Sequence, residues 1–272
     1  MALASLLLAS LTLATMTPRQ KAAALVVTTL TPRVFVGVAG IRFADQEGGP
    51  VKALPAAPPD RAAREFTTAR EARTAGAATA RALHAHGVDV DFAPVLDAPD
   101  GPLGSREFRS SQIALAFARG LGRAACVKHF PGLGSARYST DVRPHVDATI
   151  RPQDLGPFRA AIRAGVRCVM VDNAFYGTRF RASLEPRTYR LLRSLGFRGI
   201  AVTDSLSLVN DAPVERWAPQ AIRAGADLVL FTDPNHAIRA VRSLVPLARR
   251  GELDAHVLRV LRYRSAVVPS HR

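Results

Sequence analysis

Short apolar, β-branched runs alternate along this chain with Ala-, Arg- and Leu-rich stretches of helical length. That alternation limits the fold more than any other feature. The candidate strands are 24–28 (ALVVT), 34–38 (VFVGV), 41–44 (IRFA), 88–92 (VDVDF), 124–128 (AACVK), 167–171 (RCVMV), 200–203 (IAVT) and 227–231 (DLVLF). Most are continuous apolar runs, as expected of strands buried on both faces in a parallel sheet. Helices are expected over 60–86, 110–121, 154–165, 186–195, 214–224 and 235–249, with glycine at many helix-to-strand joins. Repeated strand–helix units imply an α/β fold. About eight strands in 272 residues favour a TIM-like (β/α)8 barrel over an open doubly wound sheet. Neither GxGxxG nor GxxxxGK[ST] occurs, which argues against dinucleotide-binding and P-loop folds. No linker interrupts the pattern, so residues 1–272 are read as one domain. The stretch between the first strand and residue 45 is too short for a complete unit. A barrel here is expected to be irregular or shortened near its N-terminus.

The formal net charge of +15 invites a nucleic-acid reading. The basic residues, however, are almost all Arg, with only Lys21, Lys52 and Lys128 as lysines, and they are spread along the chain beside Ala and Leu. That pattern describes solvated helix faces. No specific nucleic-acid partner is expected, only a general attraction for anionic polymers. Cys126 and Cys168 each lie in an apolar run and are read as two buried, reduced thiols. No apolar run approaches the ~20 residues needed to span a bilayer. Residues 2–15 are apolar and small, but no Lys or Arg precedes them. A first helix closing at Thr17–Pro18 is favoured, with a secretory signal as the alternative. A cytoplasmic protein is favoured, with secretion or the cell envelope left open; the oligomeric state is not readable.

In a barrel, reacting residues gather just beyond the C-terminal ends of strands. Polar residues stand at five such places: Asp45-Gln46-Glu47-Gly48-Gly49, Asp97 after Ala93-Pro94-Val95-Leu96, Lys128-His129-Phe130-Pro131-Gly132, Asp172-Asn173 and Asp204-Ser205. One strand-end Asp could be a helix cap. Five polar strand ends on one rim are harder to explain as caps. Carboxylates with Lys and His donors suit sugar hydroxyls and the paired groups of glycoside hydrolysis. No HExxH, CxxC or EF-hand loop appears, so neither metal nor other cofactor is implied.

These segments resemble glycoside hydrolase family 3, in particular its single-domain β-N-acetylglucosaminidase branch, which recycles cell-wall sugars. The resemblance rests on Asp45–Gly49, Phe92-Ala93-Pro94-Val95-Leu96-Asp97 and Lys128–Gly132. Looser matches are at Gly104-Ser105-Arg106-Glu107-Phe108, Asp154-Leu155-Gly156-Pro157-Phe158, Val202-Thr203-Asp204-Ser205-Leu206 and Ala224-Gly225-Ala226-Asp227. It implies a TIM-like barrel and a retaining glycosidase acting on a small saccharide. It also implies that Asp204 is the nucleophile, forming a covalent glycosyl-enzyme. By the same resemblance Asp45, Arg106, Lys128 and His129 hold the sugar, while Asp97 orders the rim.

The chain departs from the family pattern in the loop after Gly132. Where the family carries an Asp-Ser-His element with His as acid/base, this chain has Ser139-Thr140-Asp141. Asp141 is the leading acid/base candidate and His145 the reserve; a carboxylic acid can protonate a leaving group if its pKa is raised. An Arg expected shortly after Gly49 is also missing; Ala53 lies at that count, with Lys52 beside it. A saccharide-binding protein with weakened or lost catalysis is the alternative reading.

Overall fold

The computed structural model describes residues 2–37, 39–99, 101–209 and 213–268. Helices α1 (Ala2–Thr15) and α2 (Pro18–Ala24) open the chain. The break between them is a capping box. The Thr17 hydroxyl accepts from the Gln20 amide at 3.3 Å, and Gln20 Oε1 accepts from the Thr17 amide at 2.8 Å. Proline at the first helical position fits there because its missing N–H would have no partner in any case.

Strands β1 (Val26–Thr31), β2 (Val34–Gly37) and β3 (Arg42–Ala44) follow as an antiparallel meander, then the hairpin β4 (Gln46–Gly48) and β5 (Val51–Lys52). Beyond it the chain alternates regularly: α3 (Ala69–Ala85), β6 (Val90–Asp91), α4 (Ser111–Leu121), β7 (Cys126–Phe130), α5 (Pro152–Arg163) and β8 (Cys168–Val171). It continues through α6 (Pro186–Ser194), β9 (Ile200–Thr203), α7 (Val214–Ala224), β10 (Val229–Phe231), α8 (Pro234–Arg249) and α9 (Asp254–Val267). All eight apolar runs contain a strand; Val38, at the end of one of them, lies outside the described residues.

The expected (β/α)8 barrel is corrected by the strand pairing. The strands form a mixed five-stranded sheet, β10-β1-β2-β3-β6, and a separate parallel three-stranded sheet, β7-β8-β9. β2 runs antiparallel to both neighbours. Between the two sheets stand isolated bridges, Asp91 to Ala125 and Val202 to Leu228, in place of continuous ladders. The cause is local and visible in chain length. Parallel neighbours need a crossover of a dozen or so residues, whereas only Pro32 and Arg33 separate β1 from β2. The chain must turn back, and the strand reverses.

Phenylalanines fill the space between sheet and helices. Phe92 stacks on Phe43 with centroids 5.0 Å apart and contacts Phe35 at 5.7 Å, while Phe130 meets Phe158 edge-on at 5.3 Å. All these rings are buried. The helix expected over 60–86 divides into a 3-10 turn at Ala63–Glu65 and α3. Thr68 divides them by capping α3, its hydroxyl accepting from the Glu71 amide at 3.2 Å. Among the described residues no helix is long and apolar enough to cross a membrane.

The reading of Cys126 and Cys168 as reduced thiols is also corrected: they form a disulfide. The two residues stand opposite each other in the β7–β8 register, with Cα atoms 4.4 Å apart. Two runs 42 residues apart in sequence carry no hint of that register. An alkylating reagent is expected to find no thiol in the denatured, unreduced protein and two after reduction. Reduction is expected to cost about 2–4 kcal/mol in urea unfolding, the usual range for such a cross-link. Two thiols labelled before reduction would contradict the pairing.

Candidate active site

The site is built from the loops that follow β3, β6, β7, β8 and β9. Its centre is Lys128, within β7 and 2% exposed. An ammonium buried so deeply needs charged partners, and it has two: Asp45 Oδ1 at 2.5 Å and Glu47 Oε1 at 2.6 Å. Burial opposes the lysine's charge, but the two carboxylates outweigh it and raise its pKa. Glu47 is shared with Arg106, whose Nε and Nη2 donate to the two carboxylate oxygens at 2.8 Å each. Burial alone would raise the Glu47 pKa; Lys128 and Arg106 prevail and hold it at about 2.

The turn that presents Asp45 and Glu47 requires glycine. Gly48 has φ +99°, and a Cβ there would collide with the Arg61 carbonyl oxygen. At Gly49, φ +53°, it would lie 2.6 Å from Ala62 Cβ. Any side chain would have to force the hairpin off the 59–62 segment. Gln46 anchors the other side of the turn. Its amide nitrogen donates to the carbonyls of Leu54, Ala57 and Pro58 at 3.0–3.2 Å.

Asp97 serves His129 and the loop after β7. Its Oδ2 accepts from His129 Nδ1 at 2.7 Å and from the His129 amide at 3.2 Å, and its Oδ1 accepts from the Leu133 amide at 2.6 Å. Burial disfavours a charged imidazole, yet Asp97 outweighs it and raises the His129 pKa. With both oxygens engaged, Asp97 is an orienting group.

Asp204 follows β9 and is 9% exposed. Its Oδ1 accepts from the Ser205 amide at 2.7 Å; among the described residues none donates to Oδ2. Burial, reinforced by the Asp141 carboxylate, raises its pKa, with His129 and Lys128 acting the other way. Asp204 is therefore within electrostatic reach of the Lys128–His129 pair and of Asp141. Asp141 itself accepts from Arg106 Nη1 at 2.8 Å and from the Ser139 hydroxyl at 3.2 Å. Burial pushes its pKa up, but Arg106 and then His129 more than compensate, so it is lowered overall. His145 stands outside this network. Its side chain is 64% exposed, it lies 3.4 Å from Asp147, and it stacks on Phe175 at 4.4 Å.

Of the sequence-derived candidates, Asp45, Lys128, Arg106 and Asp141 are thus joined through direct contacts, with Glu47 between the two cations. His129 and Asp97 pair beside them, Asp204 lies within their electrostatic reach, and His145 is apart. Sequence reasoning gave no role to Glu47, the carboxylate that links the two cations. The available signal was an acid inside a glycine-terminated turn, in a chain holding few lysines. It also gave no role to Asp172, which follows β8 and is fully buried. The Tyr176 hydroxyl donates to Asp172 Oδ2 at 3.1 Å and the Ala174 amide to Oδ1. Burial pushes the Asp172 pKa up to about 7, with Asp97 and Asp204 adding to the rise and His129 opposing it.

A carboxyl whose folded pKa is raised stabilises the protein below its unfolded pKa, near 4, and loses that contribution as pH rises through about 7. Asp172→Asn is therefore expected to flatten the fall in urea midpoint between about pH 4 and 7. An unchanged slope would mean that Asp172 does not carry it. Lys128→Met is expected to cost about 3–5 kcal/mol, since it leaves Asp45 without its ion-pair partner and Glu47 with Arg106 alone. A loss under about 1 kcal/mol would show that Asp45 and Glu47 remain solvated.

Residues 2–263 match the profile described as Glycosyl hydrolase family 3 N terminal domain. A Beta-hexosaminidase of Stenotrophomonas maltophilia is 34% identical over 205 residues, covering 65% of this chain and 60% of that protein. The chain thus spans less than two thirds of that relative's length. A family 3 glycosyl hydrolase of Mycobacterium smegmatis superposes with TM-score 0.77 at 28% identity, covering 94% of this chain and 98% of that one. A family 3 β-N-acetylglucosaminidase of Paenibacillus does so at 0.75 and 28% identity, covering 84% and 50%.

Proposed function

The chain belongs to glycoside hydrolase family 3, and from that premise we propose that it is a retaining glycosidase that removes terminal β-N-acetylglucosamine through a glycosyl-aspartate intermediate. The observation that carries this reading is the Asp204 carboxylate, with one oxygen free of donors among the described residues and within electrostatic reach of His129 and Lys128. The substrate class comes from the relatives, among them the Stenotrophomonas and Paenibacillus enzymes.

In this reading Asp204 Oδ2 attacks the anomeric carbon, the leaving oxygen takes a proton, and water later releases the sugar. Asp45 accepts from sugar hydroxyls, while Lys128, Arg106 and His129 donate to them. Asp97 acts through His129 by fixing its ring. Asp141 is the acid once the sugar has displaced its carboxylate from Arg106, the charge that does most to hold its pKa down. His145 has no role in this reading; it is already engaged by Phe175 and Asp147.

A second reading has one observation in its favour. Held by Arg106, Asp141 is an anion, the wrong state for a proton donor. A binding protein with little turnover would show saccharide affinity without hydrolysis.

A 5-fluoro-N-acetylglucosaminyl fluoride is expected to label one residue, Asp204, located by mass spectrometry of the digest. Labelling elsewhere, or turnover undiminished in Asp204→Ala, would end the glycosidase assignment. Asp141→Ala should slow an aryl glycoside with a poor leaving group by ~10²–10⁴ and an activated one far less. Equal losses on both substrates would remove Asp141 as the acid.

A further inference from the structure

The buried Asp172 is fixed in place through its main chain. Its amide donates to the Phe130 carbonyl at 2.9 Å, and its own carbonyl accepts from the Ser183 amide at 2.8 Å. Its side chain gives Oδ1 to the Ala174 amide, which leaves Oδ2 to the Tyr176 hydroxyl at 3.1 Å. That hydroxyl also lies 3.0 Å from the carbonyl oxygen of Gly132, in the loop after β7. One phenol thus links two oxygens, and the hydrogens available decide which contacts are bonds. A phenol has one hydrogen to give, and a carbonyl has none. An ionised Asp172 only accepts, so the Tyr176 hydrogen could serve Oδ2 or Gly132, not both. A protonated Asp172 donates its own O–H to Tyr176, whose hydrogen then goes to Gly132. Both contacts are present, and only the neutral acid satisfies both. Burial, with Asp97 after β6 and Asp204 after β9, keeps the Asp172 proton on up to about pH 7, while His129 in β7 opposes it. Burial, then Asp172, Asp97 and Asp154, hold the Tyr176 phenol well above its usual range, so it keeps its hydrogen.

We propose that Asp172 is a positioning residue: its proton completes a hydrogen-bonded chain through Tyr176 to Gly132, which holds the loop that carries Asp141, and loss of that proton releases the loop. An ionised Asp172 takes the phenol hydrogen for itself, because a carboxylate is a stronger acceptor than a neutral carbonyl. The buried Gly132 then loses that donor, and a buried carbonyl without one is costly. The hold on the loop stands by itself. Its effect on turnover rests on the glycosidase reading, in which Asp141 is the acid.

Amide hydrogen exchange of the full chain tests it without turnover, each rate being divided by the intrinsic rate at that pH. Protection over residues 133–143 is expected to fall several-fold in the wild type between about pH 6 and 8, with no such step in α3. Asp172→Asn keeps a donor, its amide, against Tyr176 at every pH and should stay protected over the same range. Tyr176→Phe removes the link and should leave the segment weakly protected throughout, with no step. In turnover of an aryl β-N-acetylglucosaminide, the alkaline fall in kcat should move to higher pH in Asp172→Asn, with KM changed less than about twofold. The exchange result is read whether or not the protein turns over, so a failed glycosidase reading and a failed hold on the loop are seen separately. The inference is overturned by flat wild-type protection, by Asp172→Asn losing protection alongside the wild type, by Tyr176→Phe keeping the wild-type step, by an equal step in α3, or by an alkaline fall in kcat that Asp172→Asn leaves in place.

Discussion

One buried ammonium organises the rim. Lys128 enters it from inside a strand whose every residue is buried, so it cannot reach water. Its charge survives there because the turn after β3 delivers two carboxylates to it from one side. That demand passes outward. Lys128 is divided between two carboxylates and cannot neutralise both, and Arg106 takes both oxygens of Glu47. Arg106 in turn has a donor left over, which fixes Asp141. The result is an alternating series, Asp45–Lys128–Glu47–Arg106–Asp141, that ties the loops after β3, β6 and β7 together through charge. Such a series is costly to assemble and strongly specific in geometry, because each charge is satisfied only when its neighbours are placed.

The elements were legible in the sequence where burial on both faces makes strands continuous and apolar. β8 and β9 are cases: each falls inside its apolar run, and Asp172 or Asp204 then stands at its end as the pattern requires. What local pattern cannot supply is direction and pairing. The run at 34–38 reads the same whether its strand is parallel or reversed, and only the two-residue turn before it decides. The same blindness hid the cysteine pair, whose contact depends on the β7–β8 register. It hid α9 as well, where His256, Arg259 and Arg262 interleave with the Val257, Val260 and Tyr263 that anchor the helix. The rim was legible through its motifs, down to Asp45, Arg106 and Lys128. Glu47 and Asp172 were not, since their importance comes from neighbours that folding brings from other loops.

The aspartate at position 141 has a physical consequence beyond the proton it could give. An imidazole has no lasting attraction for a guanidinium, whereas a carboxylate pairs with one. With Asp at this position the loop is tied to Arg106, and in the proposed reading holding the sugar and protonating the leaving group fall on one ion pair. A neutral sugar hydroxyl cannot compete with a carboxylate for Arg106 on hydrogen-bond strength alone. In the proposed reading the displacement would have to be driven by what the rest of the rim gains: hydroxyls bridging to Asp45, and relief from the charge of Asp204. Like charges at Asp141 and Asp204 disfavour the arrangement in which both are ionised. In the proposed reading that repulsion favours moving Asp141 and protonating it together, so that sugar binding would itself arm the acid.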